Sequence, residues 1–478
     1  MKYQVTRESS AIVGRRAELD QLTRIGESGV PGIVVVYGRR RVGKTTIIEH
    51  AYRHRNILKI EGVEGGDKAR QMETALMMLQ TYVGDPAIAR LKFDRWLEFF
   101  QYLARFIGEG QHTLYLEELQ WLCCYDDELI SDFKLAWDNY LKNNKQLIVV
   151  LCGSSPSFMV SHVVRSKALY GRSQHQIHVK PFTIDECRAY FGPDFSEHAV
   201  MDAYLSVGGV PEYLAYLKRS KSPYLELCRE AFTQNGYFYN ECERIFVSSL
   251  AKNPHYRPIL ELLANYRFRT RIEIANHLKI DAGGTLSALL DELEASGFIH
   301  HYVPYNKKEN SKLVRYEIAD QYLQFFYRFV APQSKKIKSD MFQDNPTKAL
   351  NLNDYHQWLG YSFERWCRFN HQRVAKKLGF SAVNYDVGPF FSRSTPSHFQ
   401  MDLIFRRADK VLTIVEIKYL RAQTPKTVIQ EFERKMELFE MPSRYSVQRV
   451  LISANGCDQS VIDAGYFDDI LTLEDLMS

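Results

Sequence analysis

The stretch Gly38-Arg-Arg-Arg-Val-Gly43-Lys44-Thr45 constrains this chain more than any other. It fits G-x-x-x-x-G-K-[ST] at every fixed position, with a β-branched run, Ile33 to Tyr37, before it and a helical pattern from Lys44 after it. A strand, a glycine-bounded turn and a helix N-terminus in that order wrap a phosphate. The glycines let backbone N–H groups face the anion, and the helix start adds partial positive charge. Gly38, Arg39, Arg40, Arg41, Val42, Gly43, Lys44, Thr45 and Thr46 are therefore expected to hold the phosphates of ATP. Lys44 would reach the β and γ phosphates, and the Thr45 hydroxyl would ligate Mg²⁺. The pattern predicts an α/β P-loop core.

Such a core needs an acid at the end of a second buried strand. The segment LYLEELQWL, residues 114–122, supplies Glu117 where Asp is usual, so Glu117 is the expected metal-shell ligand. Glu118, next to it, is the expected polariser of the attacking water. A third apolar run, LIVVLCGSS, ends in Ser154 and Ser155, where a sensor of the γ-phosphate would sit. Arg172, in ALYGR, is a candidate arginine finger, with a solvated surface arginine as the plain alternative.

At 478 residues the chain exceeds one hydrophobic core, so several domains are expected. Its formal charge of +5, from 62 basic and 57 acidic residues, is too mild to indicate nucleic acid without local clustering. The start, MKYQVTRESS, lacks an apolar signal-like core, and no uninterrupted apolar run approaches the ~18 residues of a membrane span. With eight scattered cysteines and no C-x-x-C pair, the expectation is a cytoplasmic protein with reduced thiols and no membrane partner.

The motifs also carry a family resemblance. Ile12-Val-Gly-Arg-Arg-Ala-Glu-Leu19, VYGRRRVGKT, the acidic strand end followed by Gln120-Trp121, CGSS, LYGR and GGVPEYL occur in an order that resembles the archaeal-type ATPases, AAA+-related proteins of the STAND-like branch. The resemblance covers most of residues 10–330. It implies an ATPase core, a helical lid, a winged helix and often a C-terminal domain similar to restriction endonucleases. By that analogy Arg172 completes a nucleotide site, and Gly209 and Pro211 belong to a G-x-P element near adenine. Acting in trans, Arg172 would require a homo-oligomer.

The middle of the chain gives three short helical patterns, HYRPILELLANY, TRIEIANHLKI and GGTLSALLDELEASGFI, then two strand-like runs around NKKENS. This is a winged-helix order, for which a protein–protein module is the alternative. The third helix carries Asp291, Glu292 and Glu294 and no base, so DNA contact is expected from the wing, through Lys307, Lys308, Lys312 and Arg315. The expected divisions are 1–182 (ATPase core), 183–250 (lid), 251–332 (winged helix), 333–345 (linker) and 346–478 (nuclease-like domain).

In that last region FQMDLIFRRADKVLTIVEIKYL reads as a hairpin turning near residue 409. Position 402 then lies opposite 416, and directly opposed side chains share a face about 5 Å apart. Glu416 and Lys418, two apart, share it as well. Asp402, Glu416 and Lys418 would converge as the D…(D/E)-x-K constellation of restriction-endonuclease-like nucleases, with Glu364 on the preceding helix as an extra acid. Mg²⁺ or Mn²⁺ would bind the carboxylates and activate water, and Lys418 would orient the nucleophile. Acid-x-Lys alone is uninformative, since Asp132-Phe-Lys134 and Glu433-Arg-Lys435 also occur. The whole predicts an ATP-driven, DNA-directed protein with a nuclease-like domain. The rival is a nucleotide-switched regulator or scaffold whose C-terminal domain binds without cleaving.

Overall fold

Continuous apolar runs such as Ile33–Val36 belong to strands covered on both faces, and β1 (Gly32–Tyr37) shows how. In the computed structural model, which describes residues 12–173, 175–250, 253–305, 314–392 and 398–478, alternate β1 residues enter two different cores. Ile33 and Val35 join Leu114, Leu116, Phe99 and Phe100. Val34 and Val36 join Leu22, Ile47, Ile48 and Tyr115. The period of two along a strand is the cause.

The chain divides into two compact units, Met1–Phe182 with Val210–Glu212, and Thr183–Gly209 with Tyr213–Ser478. The first holds a parallel sheet of β1, β2 (Asn56–Glu61), β3 (His112–Glu117), β4 (Ile148–Gly153) and β5 (His175–His178), in the order β2-β3-β4-β1-β5. Because the strands are parallel, the loop after β1 and the ends of β3 and β4 lie along one edge of the sheet. In open α/β sheets that carboxyl edge is where ligands bind.

The second unit opens with five helices between Ile184 and Ser249. Helices Tyr256–Asn265, Arg271–Leu278 and Gly284–Ala295 follow, then the antiparallel pair β7 (Ile299–Tyr302) and β8 (Arg315–Ile318). A two-residue strand, β6 (Arg269–Thr270), pairs with β8 on its other side. Residues 333–345, expected as a linker, instead contain helix Ser334–Lys338 and bury Ile337 and Phe342. Two apolar side chains among the charges are enough to hold the segment down.

The C-terminal part is a five-stranded mixed sheet, β13-β12-β11-β10-β9, built from β9 (Tyr385–Ser392), β10 (Phe399–Arg407), β11 (Val411–Lys418), β12 (Ser446–Ser453) and β13 (Asp469–Leu471). β10 is antiparallel to both neighbours, while β11, β12 and β13 run parallel. Helix Thr427–Leu438 packs Val428 and Phe432 on Met401, Ile404, Leu412 and Ile414. Among the described residues no helix is long and apolar enough to cross a membrane. All eight cysteines are free thiols.

Candidate functional sites

The loop after β1 is a tight backbone turn. A Cβ on Gly38 would lie 2.2 Å from the Val179 carbonyl oxygen, so only glycine fits, and Gly43 sits at φ 91 before helix Lys44–Ala51. Lys44 is 7 % exposed and donates to the carbonyls of Gly38 at 2.9 Å and Arg39 at 3.1 Å. Thr46 is exposed on the helix. Arg40 lies over the Trp121 ring, and Arg41 is 3.6 Å from Glu212.

Seventy-two residues separate Thr45 from Glu117, yet the Thr45 hydroxyl donates to the Glu117 carboxylate. Tyr115 Oη donates to the same oxygen at 2.6 Å, and Lys59 of β2 forms an ion pair with the other. Burial alone would raise the Glu117 pKa, but the bonds from Lys59, Thr45 and Tyr115 hold it below the usual range. A carboxylate beside a hydroxyl is a hard oxygen donor set that suits Mg²⁺, so the residues fit the ion that the motif implies.

Glu118 caps the short helix Leu119–Leu122 in the left-handed region, at φ 49 and ψ 52. Its Oε2 accepts from Ser154 Oγ at 2.5 Å, Ser154 N at 3.2 Å and Gln120 Nε2 at 2.7 Å. Ser154 is thus joined to Glu118 across β3 and β4. A non-glycine residue held in that region marks strain of the kind stored at working sites.

Arg172 lies elsewhere in the first unit. It grips Asp138 through two bonds, Nε to Oδ1 at 3.0 Å and Nη2 to Oδ2 at 2.9 Å. The pair lines a cavity of about 490 Å³ with Gly32 and Ile33, at the start of β1. The phosphate loop leaves the other end of that six-residue strand, roughly 17 Å away. Arg172 therefore does not reach the phosphate loop of its own chain. Gly209 and Pro211 flank buried Val210 where the chain passes between units, and Pro211 opens helix Pro211–Leu217.

One residue of the first unit escaped sequence reasoning. Arg15, 4 % exposed and with a left-handed backbone, donates to the Val42 carbonyl at 2.9 Å and stacks over Phe182. It ties the segment before the first helix to the phosphate loop. The only signal was its place in IVGRRAEL.

In the second unit the pairs Leu403↔Val415, Ile404↔Ile414, Phe405↔Thr413 and Arg406↔Leu412 are all symmetric about residue 409. Asp402 and Glu416 come one step beyond the first of them, Leu403↔Val415. There the Asp402 side chain takes over, its Oδ2 accepting the Ile417 N–H at 2.9 Å. On its other side the β9–β10 register shifts between Met401 and Ile404, a bulge that frees Asp402 from the ladder. Asp402 is 8 % and Glu416 1 % exposed.

The charges are arranged differently from the expected triad. Glu416 accepts from Lys435 at 2.8 and 2.7 Å, one bond to each oxygen, and from Lys418 at 3.1 Å. Lys435 comes from helix Thr427–Leu438 and belongs to the Glu433-Arg-Lys435 triplet set aside as background. Lys418 also meets Glu431 at 3.1 Å, and these acids raise its pKa against the opposing effect of burial. Burial, then Glu416 and Glu364, push the Asp402 carboxyl well above the usual range. Glu364 is raised too, by burial first, with Arg267 opposing.

Glu364, Asp402 and Glu416 were expected as joint metal ligands. Among the described residues, no three His, Cys, Asp or Glu side chains are arranged to hold a metal ion. The Glu416 oxygens turn instead to Lys435 and Lys418, and those of Asp402 to Gln400 and the Ile417 amide. Two carboxylates just past the end of the β10–β11 ladder still suit a hard cation that keeps several waters. Arg315, expected to contact phosphate from the wing, is 7 % exposed and sandwiched between Phe268 at 3.9 Å and Phe391 at 4.2 Å. Lys307, Lys308 and Lys312 lie outside the described residues.

A parallel sheet with a phosphate loop at the end of β1 and an acid at the end of β3 defines a P-loop nucleotide-binding domain. A family model described as an ATPase domain predominantly from Archaea matches residues 12–217, which supports binding and hydrolysis of ATP there. An uncharacterized protein of Methanocaldococcus jannaschii is 27% identical over 432 residues, 89% of this chain and 92% of its own. Among solved structures, a Walker-type ATPase of Pyrococcus abyssi is 21% identical, covering 69% of this chain and 100% of its own at a TM-score of 0.48. The ORC2 protein of Aeropyrum pernix, solved as ADPNP–ADP complexes, is 14% identical over 70% of this chain and 97% of its own, with a TM-score of 0.45.

Proposed function

We propose that this protein binds and hydrolyses ATP and acts on DNA, with a metal-dependent nuclease-like centre in its C-terminal sheet. The observation that carries the ATPase half is the bond from the Thr45 hydroxyl to Glu117 across 72 residues. Lys44 exchanges its two loop carbonyls for the β and γ phosphates, and Glu118, held by Ser154, orients the water. Mg²⁺ supplies charge neutralisation on the phosphate oxygens. Gly209 and Pro211 are read as adenine neighbours on the family resemblance alone.

For the nuclease-like half, support comes from the hairpin register that brings Asp402 to Glu416. These two would hold Mg²⁺ or Mn²⁺, with Glu364 nearby, and Lys418 would orient the attacking water. The three helices and the β7–β8 pair are read as a winged helix. The test is cleavage of single-stranded, duplex and branched DNA with Mg²⁺ or Mn²⁺, with and without ATP. Wild type is expected to cleave and Asp402→Ala to be inactive. Equal cleavage by Asp402→Ala, or none by wild type in any nucleotide state, removes the nuclease.

One observation favours a second reading, a nucleotide-switched scaffold that binds without cutting: both Glu416 oxygens are engaged by Lys435. The same assay decides between them. Arg172, remote from its own phosphate loop, acts on the nucleotide of a second copy. Specific ATP turnover should then rise with protein concentration and fall in Arg172→Ala. Concentration-independent turnover by a monomer in ATP would remove that role.

A further inference from the structure

The segment Asn265-Tyr-Arg-Phe-Arg-Thr-Arg271 links helices Tyr256–Asn265 and Arg271–Leu278 and contains β6. Tyr266 leaves the helix with an extended backbone, at φ −134 and ψ 153, and after a bend the chain enters the two-residue strand β6. Phe268 takes the inner side, 3.9 Å from the Arg315 guanidinium and 5.7 Å from the Phe391 ring. Arg267 is exposed and Arg269 half-buried.

Both arginines lie on tyrosine rings. Arg267 is 4.0 Å over Tyr361 and Arg269 is 3.4 Å over Tyr266. Tyr361 and Tyr266 are 38% and 50% exposed as residues. Arg267 also donates to Gln400 Oε1 at 3.1 Å, and Gln400 Nε2 donates to Asp402 Oδ1 at 3.2 Å. Two hydrogen bonds therefore connect an exposed guanidinium to the buried carboxylate of the proposed centre. The acids in this neighbourhood are Glu273, 3.4 Å from Arg269, and Glu364, whose charge is felt by Arg267.

A guanidinium stacked on an exposed ring offers a fork for phosphate and a face for a base. Duplex DNA covers its base faces with neighbouring pairs, and so uses only the fork. An unpaired strand uses both, and stacking makes its binding tolerant of nearby acids that repel a polyanion. We propose that Tyr266, Arg267, Arg269 and Tyr361 bind an unpaired nucleic-acid strand and guide it to Asp402 and Glu416, with Arg267 positioning a backbone phosphate. This rests on the DNA-directed reading of the same centre and adds its substrate class.

The test is fluorescence anisotropy of a labelled oligo-dT strand and a hairpin duplex of equal charge, with the full-length protein in EDTA across a salt series. Wild type is expected to bind the strand about tenfold tighter than the duplex. Arg267→Ala should weaken strand binding about fivefold and lower the log-affinity against log-salt slope by about 0.7. Arg267→Lys should restore the slope but not the affinity, and Tyr361→Leu should lose affinity at unchanged slope. ATP turnover and thermal melting check that the variants fold. Equal affinity for duplex, unchanged binding in both Arg267→Ala and Arg269→Ala, or displacement by poly-glutamate as effective as by unlabelled strand would overturn the proposal. Because EDTA removes any cleavage, Arg267-dependent strand binding by a protein that never cuts sustains this surface while failing the nuclease reading.

Discussion

Glu118→Gln is expected to lower steady-state ATP turnover by about a hundredfold to ten-thousandfold, the usual worth of a positioned general base. Nucleotide affinity should be unchanged. The substitution is nearly isosteric, and the glutamine keeps an oxygen to accept from Ser154 Oγ and Ser154 N, the bonds that hold Glu118 in place. The backbone at φ 49 is equally open to both residues. What disappears is the negative charge that would face the attacking water. Phosphate release and binding of a fluorescent ATP analogue, measured on the same preparation, separate the two effects. Turnover equal to wild type would take Glu118 out of the chemistry and leave its strained backbone as a purely structural feature.

Glu416→Ala should cost about 3 kcal/mol of stability as well as all cleavage. Glu416 is 1 % exposed and accepts both bonds from Lys435, whose own side chain is 16% exposed. Removing the carboxylate leaves that ammonium half-desolvated with its partner gone, whereas Lys418 retains Glu431. The partial exposure of Lys435 keeps the cost at the lower end of the range for broken buried pairs. Replacing both residues, as Glu416→Leu with Lys435→Leu, should recover stability to within about 1 kcal/mol, because an apolar pair carries no desolvation penalty. Cleavage stays lost. Urea unfolding of the three proteins measures the cycle; a single-variant cost below about 1 kcal/mol would mean that the lysine contributes no pairing energy.

The phosphate loop was legible because its chemistry is local. Eight consecutive residues between a strand and a helix specify both the turn and the charge. The register of the β10–β11 hairpin was legible for a related reason: a tight charged turn between two continuous apolar runs leaves one symmetric pairing. Lys435 was not legible, since it reaches Glu416 from a helix 19 residues away, and its acid-x-Lys triplet had no distinguishing context. Arg15 and Arg267 fail the same way, the latter bonding to Gln400 across 133 residues. Arg315 misled because a basic residue beside a turn normally faces water; here Phe268 and Phe391 close over it.

The sequence by itself determined that this chain has a phosphate loop on an α/β core, an acid pair at the end of a second buried strand, and a C-terminal hairpin that brings two acids near each other. Each follows from short-range rules of strand, turn and helix. Only the tertiary structure decided which cations meet those acids, that Arg172 sits at the far end of β1 from the phosphate loop of its own chain, and that Arg267 approaches Asp402. The physical reason is range. Backbone geometry is set within a few residues, whereas a charge buried in a sheet takes its partner from whichever element the packing brings there.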